Sequence, residues 1–336
     1  MKHIYWKKEF NKWISSASPP EKTFLNVDPD AFHPVLMRVL NSAQEPVIII
    51  VPRLSVAESL SSSLSVWAEL SGKSIDPILV PETEEGDRFM PENEFQRMKA
   101  LYMAASGQGR IFIASAISFT YPVPALDSLG ENTIRLSQGL TFPLKSLLKR
   151  LVDMDYDDEI EVNVPGEFAR RGGIIDVFSP GCGNPARIEY WGDEISSIRT
   201  FSTETQLSLE TVKEYTIIPR NSFVQEQNSA FLISYFNGKS PSIAVLNPGE
   251  CMTHLLRFGK PSSIEHFTET MEKHAGSTYR LLDSTDSSSE KGADCDCMSP
   301  VLEIRKTVSG ETESTYGNLM RKLTAGQISS WLAAGY

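Results

Sequence analysis

Residues 166–209 decide the fold of this chain, and they read GEFARRGGIIDVFSPGCGNPARIEYWGDEISSIRTFSTETQLSL. Within them, residues 187–191 are Arg-Ile-Glu-Tyr-Trp, a pattern typical of a β-strand. Because successive side chains of a strand point to opposite faces, Arg187, Glu189 and Trp191 share the face opposite the Ile and the Tyr. Arg187 and Trp191 are then about 13 Å apart along the strand. The pattern predicts a β platform that holds an arginine and a tryptophan in solvent, as a docking surface does.

The preceding strand, predicted at residues 174–178, is entered through Arg170-Arg171-Gly172-Gly173. A glycine pair can take positive φ and turn the chain sharply, here beside two guanidiniums. Arginine and tryptophan are among the residues most enriched at binding hot spots. The alternative is a solvated strand with a half-buried tryptophan and an Arg187–Glu189 surface pair that contributes little to stability.

Three stretches of this segment occur in the order and spacing of a known family: GEFARRGGIIDVF, RIEYWGDEI and IRTFSTETQLSL. They resemble the UvrA-binding domain that is shared by the excinuclease component UvrB and the bacterial transcription-repair coupling factors (Mfd). Residues 139–143, GLTFP, resemble the run into that domain's first helix, and residues 215–219 resemble the strand that leaves it. The resemblance implies an α+β interaction domain at about residues 133–220, with the excinuclease component UvrA as its partner.

One motif separates the two kinds of family member. An active motor needs G-x-x-x-x-G-K-[ST] after its first strand, because its backbone amides and lysine hold the nucleotide phosphates. Here the first strand, residues 46–51, runs into PRLSVAES at residues 52–59, without glycine or lysine. Residues 71–74 and 237–240 end like the motif, but a tryptophan and an isoleucine stand where its first glycine is required. Both stretches are predicted turns.

A degenerate motor domain beside an intact docking domain resembles the N-terminal module of the coupling factors. The resemblance implies that this chain is a fragment that hydrolyses no ATP and needs no cofactor. It also implies a parent that is an ATP-dependent DNA translocase, which reaches RNA polymerase and DNA through its remaining domains. A UvrB-like motor that acts directly on DNA and a stand-alone adaptor are the two alternatives.

The rest of the chain predicts an α/β fold, in which strands alternating with helices form a parallel sheet. We predict a degenerate RecA-like domain in residues 1–132 and 221–312, interrupted by the interaction domain at residues 133–220. Residues 313–336 are a linker and the start of a further helix. Predicted helices are residues 34–42, 55–70, 93–106, 144–154 and 318–336; predicted strands are 47–51, 110–114, 242–246 and 277–282; predicted turns and loops are 127–130 and 283–296.

Composition indicates a cytoplasmic protein. In 336 residues with 40% hydrophobic side chains, neither an export signal nor an apolar run long enough to span a membrane is found. Four scattered cysteines do not make a disulfide framework. A net charge of −11 disfavours a general nucleic-acid-binding surface, because phosphate binding depends on clustered lysine and arginine. The acidic run at residues 153–161 is interpreted as a solvated loop with a charged strand edge.

The sequence gives little evidence for a metal site or a catalytic site. Cys251-x-x-His254 and Cys295-x-Cys297 lack the paired spacing of a zinc finger. Asp193 and Glu194, as neighbours on a strand, would point to opposite faces. Cys182 lies between two glycines, where only a nearby cation would lower its pKa, and Arg187 is a speculative candidate for that cation. We therefore expect neither a catalytic residue nor a metal ion.

Where the sequence stretches match, the binding residues of the family can be assigned to positions of this chain. The resemblance places Arg171, Arg187 and Trp191 in contact with UvrA, with Arg170 and Glu189 as further candidates. The family more usually has phenylalanine at the position of Trp191. The guanidiniums are expected to bind carboxylates of the partner in bidentate fashion, and Trp191 is expected to fill a pocket.

Overall fold

The structure is a computed structural model that describes residues 23–25, 32–43, 46–70, 75–82, 91–220, 229–236, 238–274, 278–281 and 295–296. Its helices are α1 (Phe32–Ser42), α2 (Leu54–Leu70), α3 (Pro91–Ser106), α4 (Ala116–Thr120), α5 (Leu126–Asn132), α6 (Leu144–Asp153), α7 (Pro248–Phe258) and α8 (Pro261–Lys273), with a 3-10 helix at Leu232–Phe236. Its strands are β1 (Thr23–Leu25), β2 (Val47–Val51), β3 (Ile78–Val80), β4 (Ile111–Ser115), β5 (Val123–Pro124), β6 (Ile134–Ser137), β7 (Asp157–Asp158), β8 (Glu167–Arg171), β9 (Ile174–Val177), β10 (Ala186–Trp191), β11 (Glu194–Phe201), β12 (Ser208–Thr211), β13 (Glu214–Ile217), β14 (Ser229–Ala230), β15 (Ser242–Leu246), β16 (Thr278–Leu281) and β17 (Cys295–Asp296).

The chain divides by its contacts into two compact units. The first holds residues up to 80, residues 109–120 and residues from 238 onward, and the second holds residues 81–108 and 121–237. This division places α3 with the second unit, whereas the sequence assigned residues 93–106 to the RecA-like domain. The domain boundaries expected from the sequence stay a prediction.

The first unit is built on a parallel sheet of seven strands in the order β17-β1-β16-β15-β2-β4-β3. Strand β2 reads VIIIV and is buried at every position, as is β15. Such continuous apolar runs are typical of parallel strands that are covered on both faces, and β-branched residues favour the extended backbone. The predicted parallel α/β layer is confirmed.

The second unit contains a sheet of six strands in the order β12-β11-β10-β9-β8-β7, in which β8 to β12 pair antiparallel. Helix α6 covers one face of this sheet, and Leu147 and Leu151 are fully buried there with Phe168, Ile188 and Ile198. Strands β6 and β13 form a separate antiparallel pair whose Leu136 and Tyr215 join the same core. The predicted α+β unit is therefore confirmed as well.

Most predicted elements are found within two residues of their predicted bounds, but three predictions are corrected. Residues 127–130 are not a turn: they lie in α5, because Leu129 is buried and holds this segment in a helix. The helical spacing of apolar residues in 144–154 predicts that Val152 lies on the buried face of α6, but Val152 is exposed. Cys295 and Asp296 do not belong to a loop, since they pair with β1. The predicted turn at 71–74, the loop at 283–294, the linker and helix at 313–336, and Cys297 lie outside the described residues.

Among the helices of the described part of the chain, none has the length and apolarity needed to cross a membrane.

Candidate docking surface

The register of the second unit's sheet places the predicted residues on one face. Arg171 in β8 pairs with Ile174 in β9, and Ile174 pairs in turn with Glu189 in β10. In the next row, Asp176 of β9 pairs with Arg187 of β10. Arg187 pairs on its other side with Arg199 of β11. Because residues directly opposite each other on neighbouring strands lie on the same face, these six side chains form one surface. We call this surface the docking face, and we include in it Trp191 at the end of β10, Phe201 against Arg187 and Glu161 against Arg171. It is the face opposite α6.

Arg170 does not share this face. It pairs with Ile175, a residue of the core between the sheet and α6, and it follows the alternation of β8 away from Arg171. The Arg170 side chain is exposed at the end of the strand, and its Nε donates a hydrogen bond of 3.3 Å to the carbonyl of Gly172. Of the two neighbouring arginines, the structure therefore assigns Arg171 to the docking face.

Trp191 ends β10 and leaves 83% of its surface exposed. It pairs with Glu194 across a tight turn, in which Gly192 has a φ of +66°. The register of β10 and β11 shifts between Glu189 and Tyr190, a bulge of the kind that re-aims a side chain at a strand end. The predicted outward orientation of the tryptophan is thus found in the structure, and its contact with a partner stays a prediction.

Arg187 lies on the predicted face but is already paired. Its Nε and Nη2 donate hydrogen bonds of 2.8 Å each to Oδ1 and Oδ2 of Asp176. The guanidinium carbon lies 4.7 Å from the ring centre of Phe201, and Nη1 reaches the carbonyl of Gln206 at 3.3 Å. The hydrogen bonds to Asp176 raise the pKa of Arg187 above its ordinary value. The bidentate geometry expected for a partner's carboxylate is therefore occupied by a carboxylate of the protein itself.

Glu189 is also held within the sheet. Its Oε2 accepts a hydrogen bond of 2.8 Å from Ser197, and its Oε1 forms an ion pair with Arg199 of β11. The Ser196 hydroxyl donates to the Glu189 carbonyl at 3.0 Å. Both side chains of the ion pair are about one-third exposed. Glu189 and Arg199 thus present a fixed pair of opposite charges beside Trp191.

Arg171 is the most accessible cation of the docking face, with 52% of its side chain exposed. Its Nη2 donates to the carbonyl of Ile160 at 3.1 Å and lies 3.4 Å from Oε1 of Glu161. Both partners belong to the acidic run, whose residues 157–161 are exposed as predicted. The run follows the edge of β8, because the Glu159 amide donates to the Phe168 carbonyl at 2.9 Å.

Sequence reasoning missed four residues of this surface: Glu161, Asp176, Arg199 and Phe201. Asp176 could have been noticed, because it is the single carboxylate in the otherwise apolar strand segment IIDVF and a buried Asp almost always has a partner. The register that brings Arg187 opposite Asp176 could not be read from the sequence. The long separation of Phe201 from Arg187 left no local signal for their contact.

The structure gives little support for metal binding or for a reactive cysteine. Within the described part of the chain, no cluster of three or more His, Cys, Asp or Glu side chains could hold a metal ion. Burial raises the pKa of Cys182, so the speculated activation of this thiol by Arg187 is wrong. Cys251 is buried, and its Sγ donates to the carbonyl of Leu246 at 3.3 Å.

The comparison with protein families places this surface in a known class. Residues 134–223, from the start of β6 to just after β13, match the family described as the UvrB interaction domain. The resemblance stated from the sequence is confirmed for this part of the chain.

Individual relatives point in the same direction. The chain is similar to the transcription-repair-coupling factor of Bacillus subtilis (strain 168), with 27% identity over 184 residues that cover 55% of this chain and 16% of that protein. The factor of Myxococcus xanthus is 29% identical over 199 residues, with the same coverage of 55% and 16%. That of Staphylococcus aureus (strain USA300) is 30% identical over 182 residues, or 54% of this chain and 16% of that protein. The chain thus spans about 16% of the length of these relatives.

Proposed function

We propose that this chain is a docking module that recruits the damage-recognition protein UvrA to stalled transcription complexes, as part of a transcription-repair coupling factor. The observation that carries the proposal is the exposed Trp191 beside the ordered charges of the docking face, within the part that matches the UvrB interaction domain. Large exposed aromatic side chains beside arginines are typical of binding hot spots.

The docking face is suited to rigid recognition. Arg187 is fixed by Asp176 and Phe201, and Glu189 is fixed by Arg199 and Ser197, so these side chains lose little rotamer entropy when a partner binds. Trp191 supplies a large apolar surface at low entropic cost and can fill a pocket of the partner. Arg171 is the cation with room for a carboxylate from outside.

The proposal also assigns different roles to this chain and to the remainder of the parent protein. The remainder of the coupling factor would engage RNA polymerase and DNA and hydrolyse ATP. This chain would hydrolyse none: β2 and α2 are joined by Pro52 and Arg53 alone, a connection without glycine or lysine. A phosphate-binding connection needs several backbone amides directed at the nucleotide. Recruitment then depends on the docking face alone.

The test measures binding of purified UvrA to the full chain and to single variants. We expect Trp191→Ala to weaken binding by about 2 kcal/mol, roughly thirtyfold in Kd, since it removes a central anchor. Phe258→Ala is the matched control, because Phe258 is also an exposed aromatic residue but lies at the end of α7 in the first unit. Equal affinities of the native chain and the Trp191 variant would remove the site. No measurable binding of UvrA by the native chain would remove the function.

A further inference from the structure

Each described cation of the docking face has a carboxylate partner from the same unit, and the three pairs differ in strength. Arg187 and Asp176 share two hydrogen bonds of 2.8 Å and are 19% and 4% exposed. Arg199 and Glu189 are about one-third exposed and belong to adjacent strands. Arg171 and Glu161 share one contact of 3.4 Å and are both more than half exposed. The third pair is therefore the one that water screens most and that contributes least.

The carboxylate of this weak pair lies in a turn and not in a strand. The turn is fixed on both sides, since Glu159 bonds to Phe168 through the backbone and Val162 is buried against Ala169 and Phe201. Between these anchors, Ile160 is 86% exposed and Glu161 projects towards Arg171. Because the backbone is held while the side chain is exposed, Glu161 can leave Arg171 without a rearrangement of the sheet.

We propose that Glu161 is a specificity-determining residue of the docking face, which occupies Arg171 in the free protein and yields this guanidinium to a carboxylate of the partner. The proposal rests on the proposed function, because it concerns the same surface and the same partner. A carboxylate that binds Arg171 from a closely packed interface is less screened than Glu161, and it can form two hydrogen bonds where Glu161 forms one. Asp176 is not displaced, since its pair with Arg187 is bidentate and shielded.

The chemistry of the partner follows from this arrangement. Arg171 needs an aspartate or glutamate opposite it, and the exposed Ile160 beside it needs an apolar contact. The remaining acidic run repels a second unpaired carboxylate nearby, because Asp157, Asp158 and Glu159 line the edge at β7. The partner surface is thus a single acidic residue with an apolar neighbour, and not an extended acidic patch.

The test compares UvrA binding to Glu161→Gln and to the native chain. Loss of the competing carboxylate is expected to tighten binding about twofold to fivefold, the range that corresponds to an exposed ion pair. Glu159→Gln is the matched control, because it removes the same charge two residues away, where no ion pair with Arg171 is formed. Glu159→Gln reduces only the general repulsion of the acidic run, so the gain in affinity for Glu161→Gln is expected to exceed that for Glu159→Gln.

A double-mutant cycle identifies the residue through which Glu161 acts. In the Arg171→Ala background, Glu161→Gln is expected to leave the affinity unchanged. The inference is overturned if Glu161→Gln matches Glu159→Gln, if it weakens binding, or if its gain persists without Arg171. These results are distinct from failure of the proposed function. In that case the native chain would not bind UvrA at all, and the inference would fall with it.

Discussion

Asp176 and Arg187 face each other on adjacent strands and form a bidentate ion pair, with the carboxylate almost fully buried and the guanidinium stacked on Phe201. The pair fixes the charge pattern of the docking face and joins β9 to β10. The pair holds Arg187 rigidly in the surface. Because Nε and Nη2 are bonded to Asp176, only the remaining exposed edge of the guanidinium can contact a partner.

Asp176→Asn should destabilise the second unit. The substitution leaves the guanidinium without its anion in a shielded position, so we expect the free energy of unfolding to fall by about 2 kcal/mol. Hydrogen exchange of peptides from β9 and β10 would show this as faster exchange. Glu189→Gln is the matched control, since it breaks a more exposed pair and should cost less than about 1 kcal/mol. An equal effect of the two substitutions would contradict the ranking of the pairs.

The turn after Trp191 depends on glycine. Gly192 has a φ of +66°, which a side chain disfavours, although an added Cβ would meet no atom within 4 Å. Gly192→Ala should therefore cost about 1 kcal/mol through backbone strain alone. Gly183→Ala is the control, because its surroundings are equally open and its φ is not positive. Thermal unfolding of both variants would measure the difference, and identical melting temperatures would disprove the strain.

The docking face shows which parts of a surface can be predicted from sequence. Strand alternation placed Glu189 and Trp191 correctly, because the two-residue period depends only on the local chain. It could not show that Arg187 is paired, since the pairing depends on the register of β9 against β10. The helix at Leu126–Asn132 was missed for a similar reason: Asp127 and Gly130 favour a turn locally, and the burial of Leu129 decides otherwise.

The first unit should lose stability in mild acid. Burial lowers the pKa of both His33 and His266 from 6.5 to about 4. The His33 ring is stacked on Trp67 and hydrogen-bonded to Ser63, and the His266 ring is stacked on Phe119. Between these pH values the unfolded chain binds more protons than the folded one, so stability is complete above pH 6.5 and falls as the pH is lowered towards 4.

Hydrogen exchange at several pH values, corrected for its intrinsic pH dependence, would measure this loss in peptides from β2 and α2. The double variant His33→Gln, His266→Gln should show a flatter pH dependence than the native chain. The second unit provides an internal control, since residues 81–237 contain no histidine. A pH dependence between about 6.5 and 5 that is unchanged in the double variant would assign the effect to other groups.

Nucleotide binding separates the docking module from a UvrB-like motor. Arg53, in the short connection after β2, forms an ion pair with Glu250 in the first turn of α7, directly after β15. These two strands are neighbours in the parallel sheet, and ligands of such sheets bind beyond the carboxyl ends of their strands. The ion pair thus lies where a nucleotide would have to enter. Titration of the full chain with a fluorescent ATP analogue and Mg²⁺ should give no saturable binding, and excess unlabelled ATP should displace nothing. Saturable and competable binding would instead favour the motor and would contradict the degenerate domain.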